Sequence, residues 1–224
     1  MALPVQFKGS RIAQTVLRWL GWSYRFDGLP TRQGVVVVYP HTSNWDFVIG
    51  ILLKWAMGIE AHFWAKDTLF RVPLLGPWMR WLGGIPVYRQ SSNGLVGDTI
   101  ERIASSRERD EVLWLAVAPE GTRSLTPGWR TGFYQVALGA KVPVGVARFD
   151  WKSKCLDLTH FFEPTGDMER DFAHMAHLLD GVQAARPLVA AVAAGPTAAP
   201  APEAVRGGRR GRVRGRHQPH RRHV

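Results

Sequence analysis

The sequence predicts an α/β fold: a single domain with a mostly parallel sheet flanked by helices, an N-terminal amphipathic helix and a disordered C-terminal tail. Between residues 23 and 186, strand-like segments alternate with helix-like segments, the order typical of parallel sheets that are covered by helices. Apolar residues make up 46% of the 224 residues, which is enough for a sizeable core. The composition changes at residue 187. We therefore expect three parts: a helix at 1–22, the domain at 23–186 and a tail at 187–224.

The N-terminal segment has the apolar spacing of an amphipathic helix. Apolar side chains recur at i, i+4, i+7 and i+8, opposite polar side chains that include Arg11 and Arg18; the stripe comprises Ile12, Val16, Trp19 and Leu20. Two interpretations remain open. The helix packs on the domain, or it lies in a bilayer surface with Trp19 and Trp22 at headgroup level. The ten tryptophans of the chain favour the bilayer surface.

The strands of the domain are predicted from short runs that are rich in β-branched and aromatic residues. The clearest run is the four valines at 35–38. We expect strands at 22–26, 35–39, 61–65, 85–88, 112–117 and 142–149. Helical patterns lie between them, at 45–57, 95–106 and 132–138. The segment between residues 69 and 84 is apolar but is broken by proline and glycine, so no regular element is predicted there.

Composition excludes several classes of protein and of site. One cysteine, Cys155, excludes internal disulfides and a cysteine-rich metal site, and we expect it to be structural. The eight histidines show no ligand spacing, so no metal is expected. No apolar run reaches the roughly 18 residues of a spanning helix. The N-terminus lacks the apolar core of a secretory signal, which predicts a cytoplasmic location.

The tail is rich in alanine and proline, and then in arginine and glycine. Residues 201–224 contain eight arginines and one glutamate, so most of the net charge of +11 lies there. A segment with so few large apolar residues cannot bury a core, and we expect it to be disordered. Nucleic acid is not expected as a partner, except through phosphate contacts of this basic tail.

A histidine and an aspartate follow the buried strand at 35–39. His41 comes directly after its end, and Asp46 lies five residues further on, where a helix is predicted to start. In one interpretation these are ordinary helix-start residues, with Asp46 favoured by the helix dipole. In the other, Asp46 holds one tautomer of the His41 ring, whose second nitrogen acts as a general base. No G-x-S-x-G nucleophile motif is present, so the base would activate a substrate hydroxyl directly.

A second group of polar residues follows the predicted strand at 112–117. The stretch "APEGTRS", residues 118–124, is compatible with an ordinary tight turn. The same stretch also fits an anion-binding loop at the end of a strand. Such a loop uses a guanidinium, a hydroxyl and backbone amides that a glycine leaves accessible.

Taken together, these motifs resemble those of the glycerolipid acyltransferase family, the relatives of lysophosphatidic acid acyltransferase. "HTSNWD" is followed about 75 residues later by "PEGTRS", in the family's HxxxxD and EGTR pattern. "GGIPVYR" at 83–89 is similar to the family's second block, and "VPVGVA" at 142–147 is similar to its fourth. The resemblance covers roughly residues 20 to 180.

The resemblance implies an O-acyltransferase of phospholipid biosynthesis. His41 is the general base and Asp46 its orienting partner; the acceptor site is shaped by Glu120, Gly121, Thr122 and Arg123, with Arg89 as a second cationic contact. The donor is an acyl thioester on coenzyme A or acyl carrier protein, used as a co-substrate, with no bound cofactor. The acceptor is a glycerolipid-like hydroxyl such as that of 1-acylglycerol 3-phosphate. The apolar segments 69–87 and 142–146 fit either the lining of an acyl site or plain core.

Two other functions remain open on the sequence. The enzyme could acylate a non-phosphorylated lipid acceptor, or the chain could be a non-catalytic relative that binds lipid or nucleic acid. We expect its partners to be the acyl thioester, the lipid acceptor and a membrane surface. The expected location is peripheral, on the inner face of the membrane.

Overall fold

Seven strands form one sheet in the order β1-β7-β6-β2-β5-β3-β4. The structure, a computed structural model, describes residues 3–87, 94–121 and 128–185. Neighbouring strands pair in parallel except β6 and β7, which are antiparallel. The strands are β1 Ser23–Phe26, β2 Gln33–Tyr39, β3 Ala61–Lys66, β4 Gly84–Val87, β5 Leu113–Val117, β6 Val144–Asp150 and β7 Cys155–Phe162.

Helices cover both faces of this sheet. They are α1 Arg11–Trp19, α2 Asn44–Met57, α3 Leu75–Trp81, α4 Gly94–Glu108, α5 Gly132–Ala140 and α6 Met168–Leu178, with a 3₁₀-helix at Asp67–Arg71. Alternate residues of β2 point to opposite faces. Val35 and Val37 pack with α4, α5 and α6, whereas Val36 packs with α1 and α2. The two faces therefore have separate hydrophobic cores.

The prediction of an α/β fold with a mostly parallel sheet is confirmed. Four elements were not predicted: β7, α6, α3 and the 3₁₀-helix. The β7 stretch "CLDLTHFF" buries only Leu156 and Leu158 fully, so its apolar signal is short. The segment that is broken by proline and glycine forms the 3₁₀-helix and α3. The predicted tail lies outside the described residues.

Helix α1 begins at an N-cap, Ser10, whose side chain accepts a hydrogen bond from the Ala13 amide at 3.3 Å. It packs on α2 through Ala13 and Leu17. The predicted apolar stripe does not face α2: Ile12 is 79% exposed and Trp19 is 84% exposed. The expectation that Trp22 lies at headgroup level is wrong, because its ring is buried in the core beside α1 and α2. The helix therefore packs on the domain and also presents an apolar face to solvent. Among the described residues, no helix has the length and hydrophobicity needed to cross a membrane.

Candidate active site

Strand β2 carries His41 to the edge of the sheet. Val35 and Val37 are completely buried, and β2 pairs in parallel with β5 on one side and β6 on the other. A cis Tyr39–Pro40 peptide follows the strand, and the chain then enters α2 at Asn44. The carboxyl ends of β2, β5 and β6 meet at this edge, where sites of parallel sheets collect. The His41 side chain is 24% exposed there, so it is accessible to a substrate.

Asp46 is held by the start of α2. It is the N3 residue of a capping box, in which the Ser43 side chain accepts from the Trp45 amide. The Asp46 Oδ2 atom accepts the backbone amides of Thr42 at 2.6 Å and Ser43 at 2.5 Å. Its side chain is only 3% exposed. These bonds fix the orientation of the carboxylate before any substrate binds.

The same carboxylate lies beside the imidazole of His41. The distance from His41 Nδ1 to Asp46 Oδ2 is 3.6 Å, longer than a hydrogen bond but short enough for electrostatic stabilisation of an imidazolium. Catalytic hydrogen bonds are often long before the substrate binds. The two interpretations made from the sequence are therefore compatible, because Asp46 caps the helix and also faces His41.

Trp151 is a site residue that the sequence analysis missed. Its indole Nε1 donates to Asp46 Oδ1 at 2.8 Å, so both oxygens of the carboxylate accept hydrogen bonds. Trp151 follows β6 directly, and β6 runs parallel to β2, so both strands end at the same edge. Its ring packs against Trp22 and Phe149, with centroids 5.0 and 6.1 Å away. The only signal in the sequence was its place two residues after the strand predicted at 142–149.

Glu120 ties the end of β5 to His41. Its Oε1 atom accepts the His41 backbone amide at 2.9 Å, and the residue is 3% exposed. Burial raises the pKa of the Glu120 carboxyl to about 7; the charge of Asp46 adds to this rise, and the bond from the His41 amide opposes it. Among the described residues, Glu120 Oε2 has no hydrogen-bond partner. The geometry thus gives Glu120 a role in fixing His41, and its predicted role in the acceptor site stays a prediction.

Gly121 adopts a backbone conformation that favours glycine, with φ of +65°. A Cβ atom there would lie 3.0 Å from Arg130 Cγ, so the loop and Arg130 approach each other closely. The other residues predicted for the acceptor site, Arg89, Thr122 and Arg123, lie outside the described residues. The anion-binding loop therefore stays a prediction.

The second apolar segment considered for an acyl site belongs to the core. Val142, Val144 and Val146 are buried in the cluster formed with α5 and α6. An open groove of about 720 Å³ lies at the other end of α2, away from His41, and is lined in part by Lys54, Arg80 and Trp81. Within residues 3–87, 94–121 and 128–185, no group of three or more acidic, cysteine or histidine side chains is arranged to hold a metal ion.

Comparison with known proteins gives one family and one fold relative. The family model described as Acyltransferase matches residues 23–146, a range that includes His41, Asp46 and Glu120. No curated protein matches the chain. The fold is similar to the crystal structure of the 1-acyl-sn-glycerophosphate (LPA) acyltransferase PlsC from Thermotoga maritima, with a TM-score of 0.50 and 20% identity. That likeness covers 75% of this chain and 73% of that chain.

Proposed function

The chain belongs to the acyltransferase family, and we propose that it moves a fatty acyl group from an acyl thioester to a hydroxyl of a glycerolipid-like acceptor. The thioester is carried by coenzyme A or by acyl carrier protein, and the acceptor is of the type of 1-acylglycerol 3-phosphate. The observation that carries this proposal is the His41 ring at the edge of the sheet, with a buried and fully hydrogen-bonded carboxylate beside it. The similarity of the fold to PlsC supports the acceptor class.

In the proposed reaction, His41 is the general base. Its Nδ1 atom faces Asp46, which favours the tautomer that leaves Nε2 to accept a proton. The acceptor hydroxyl gives its proton to Nε2 while its oxygen attacks the thioester carbonyl carbon. Because the imidazolium that forms lies 3.6 Å from the Asp46 carboxylate, its positive charge is stabilised.

The second half of the reaction returns this proton. The tetrahedral intermediate collapses, the carbon–sulfur bond breaks, and the leaving thiolate takes the proton from the imidazolium. The products are the acylated lipid and the free thiol, and His41 is neutral again. No covalent acyl-enzyme forms in this scheme, because the acceptor oxygen attacks the thioester directly.

The acceptor phosphate is proposed to bind at Arg123 and Arg89, which the motif resemblance assigns to the acceptor site. We expect Arg123→Ala to lower kcat/KM for 1-acylglycerol 3-phosphate by roughly 10- to 150-fold, the range of one charge-assisted hydrogen bond. With 1-acylglycerol, which has no phosphate, the same change should have little effect. Steady-state kinetics on both acceptors check this, with Arg109→Ala as a control at an exposed arginine after α4.

The same pair of acceptors tests the proposed substrate class. The wild-type protein should acylate 1-acylglycerol 3-phosphate with the higher kcat/KM. A preference for 1-acylglycerol that Arg123→Ala leaves unchanged would show that the acceptor is not phosphorylated. Failure to acylate either lipid from both acyl-CoA and acyl carrier protein would contradict the glycerolipid function.

A further inference from the structure

We infer that Trp151 is a positioning residue, which fixes the plane of the Asp46 carboxylate and thereby directs this carboxylate at His41. The indole Nε1 atom of Trp151 donates a hydrogen bond to Asp46 Oδ1 at 2.8 Å. Trp151 lies outside residues 23–146, the range that the family model matches. The inference rests on the proposed function, in which His41 is the general base.

The bonds at the start of α2 hold only one oxygen of this carboxylate. The backbone amides of Thr42 and Ser43 both donate to Asp46 Oδ2, and His41 Nδ1 lies 3.6 Å from the same atom. Donors that converge on one oxygen fix the place of that atom, but they constrain the rotation of the carboxylate less. The bond from Trp151 to Oδ1 supplies a second fixed point. The plane of the carboxylate, and with it the direction of the Oδ2 lone pairs at His41, is then set.

Burial makes the bond at Oδ1 more important. The Asp46 side chain is 3% exposed, so bulk water has little access to an oxygen that loses its donor. A charged oxygen that is buried without a donor is unfavourable. Loss of the indole N–H should therefore make the carboxylate rotate, and this rotation moves Oδ2 relative to His41 Nδ1.

The Trp151 ring is held by elements other than α2. It packs against Trp22, which follows α1, and Phe149, which lies on β6, with centroids 5.0 and 6.1 Å away. Both of these rings are buried in the core. The Trp151 backbone amide donates to the Gln183 carbonyl at 2.9 Å, in the segment that follows α6. A ring anchored in this way presents its N–H at a point that α2 does not determine.

The backbone around Trp151 is also tied down. Asp150 Oδ1 accepts the backbone amides of Lys152 and Gln183, both at 3.1 Å. These bonds hold the chain on both sides of Trp151. The segment after α6 is thereby linked, through Trp151, to the Asp46 carboxylate.

Two replacements remove the N–H of Trp151. Trp151→Phe keeps an aromatic ring against Trp22 and Phe149, and we expect kcat to fall roughly 10-fold or more, since a hydrogen bond to a charged group is lost. KM should stay nearly unchanged, because Trp151 acts through Asp46 and not on the substrate. Site-specific exchange of Trp151 for 3-benzothienylalanine keeps the bicyclic ring and replaces its N–H by sulfur. An equal loss of kcat in both proteins assigns the effect to the N–H rather than to packing.

The matched control is Trp114, whose indole donates to the Thr31 carbonyl at 3.1 Å, away from the site. Exchange of Trp114 for 3-benzothienylalanine also removes one indole hydrogen bond without changing the shape of the ring. Thermal unfolding should show a loss of stability in this protein, whereas its kcat should stay near that of the wild type. A loss of kcat at Trp151 that is no larger than the loss at Trp114 would overturn the inference.

The decisive comparison uses Asp46→Asn as the background. If Trp151 acts through Asp46, adding Trp151→Phe to Asp46→Asn should lower kcat much less than it does in the wild type. An asparagine whose oxygen accepts the capping amides turns its NH₂ group toward the indole N–H, so the second change removes a contact between two donors. Equal fold losses of kcat in the two backgrounds would refute a role through Asp46.

The tautomer of His41 gives a readout that needs no turnover. ¹⁵N NMR of protein labelled in its histidine rings reports this tautomer, with the His41 signals assigned by their absence from His41→Ala. Trp151→Phe should shift the neutral ring away from protonation at Nδ1 and toward protonation at Nε2. The same tautomer population in both proteins would contradict the inference. If the shift is seen but the wild type transfers no acyl group, the proposed function fails while the orientation of Asp46 by Trp151 stands.

Discussion

Replacing His41 with alanine is expected to lower kcat by about 100- to 10,000-fold, the usual contribution of a general base. Binding of substrates should largely survive, because the change removes only an imidazole that is 24% exposed and lies at the edge of the sheet. The loss should therefore appear in kcat rather than in KM. His160→Ala is a matched control, because His160 lies on β7 and is exposed.

The pH dependence gives a second test of the base. Only the neutral imidazole can accept a proton, so kcat/KM of the wild type should fall at acidic pH as the ring becomes protonated. The residual activity of His41→Ala should lack this fall. A His41→Ala enzyme with near-wild-type turnover would refute the general-base mechanism.

Replacing Asp46 with asparagine is expected to lower kcat roughly 100-fold or more, a loss similar to or smaller than that of His41→Ala. The reason is that the change disturbs the His41 tautomer without removing the base. Asp46 accepts hydrogen bonds at both oxygens, from two backbone amides and from the Trp151 indole. An asparagine amide has only one acceptor oxygen, so its NH₂ group must face one of these donors. The carboxylate charge beside His41 is lost as well.

The change at Asp46 also weakens the start of α2, because the loss of a hydrogen bond to a charged group costs about 1.5–3 kcal/mol in the free energy of unfolding. Asp167→Ala is a suitable control, because Asp167 caps α6 by accepting the Arg170 amide at 3.0 Å, and the loss of this cap costs about 0.5–2 kcal/mol in the free energy of unfolding. Thermal unfolding should show comparable losses for both variants, whereas kcat should fall only in Asp46→Asn. Equal kcat values in the two variants would mean that Asp46 is only a helix cap.

The sequence alone predicted the features that depend on local pattern. The valine run at 35–38 predicted β2 because β-branched residues favour strands, and the apolar spacing of the first 20 residues predicted α1 because it has the period of a helix. His41 and Asp46 could be placed together because the start of a helix brings both ends of a short segment close. The family resemblance added the roles, and the family match over residues 23–146 agrees with it.

The features that depend on tertiary structure could not be predicted. The hydrogen bond of Trp151 to Asp46 joins residues 105 positions apart, and that of Glu120 to His41 joins residues 79 positions apart. Both require the order of β2, β5 and β6 in the sheet, which the strand patterns do not contain. The direction of the α1 stripe was also open, because periodicity identifies an apolar face but not what covers it.

Direct acyl transfer with His41 as the base is the mechanism proposed for this protein. The most direct measurement follows the purified protein with acyl-CoA and, separately, with acyl carrier protein thioester, recording thiol release and acylated lipid together. Thiol release should depend on 1-acylglycerol 3-phosphate, should equal the acylated lipid formed, and should be lost in His41→Ala. Intact-protein mass spectrometry should find no acyl group on the enzyme. Thiol release at the same rate without acceptor, or an isolated acyl-enzyme, would refute direct transfer.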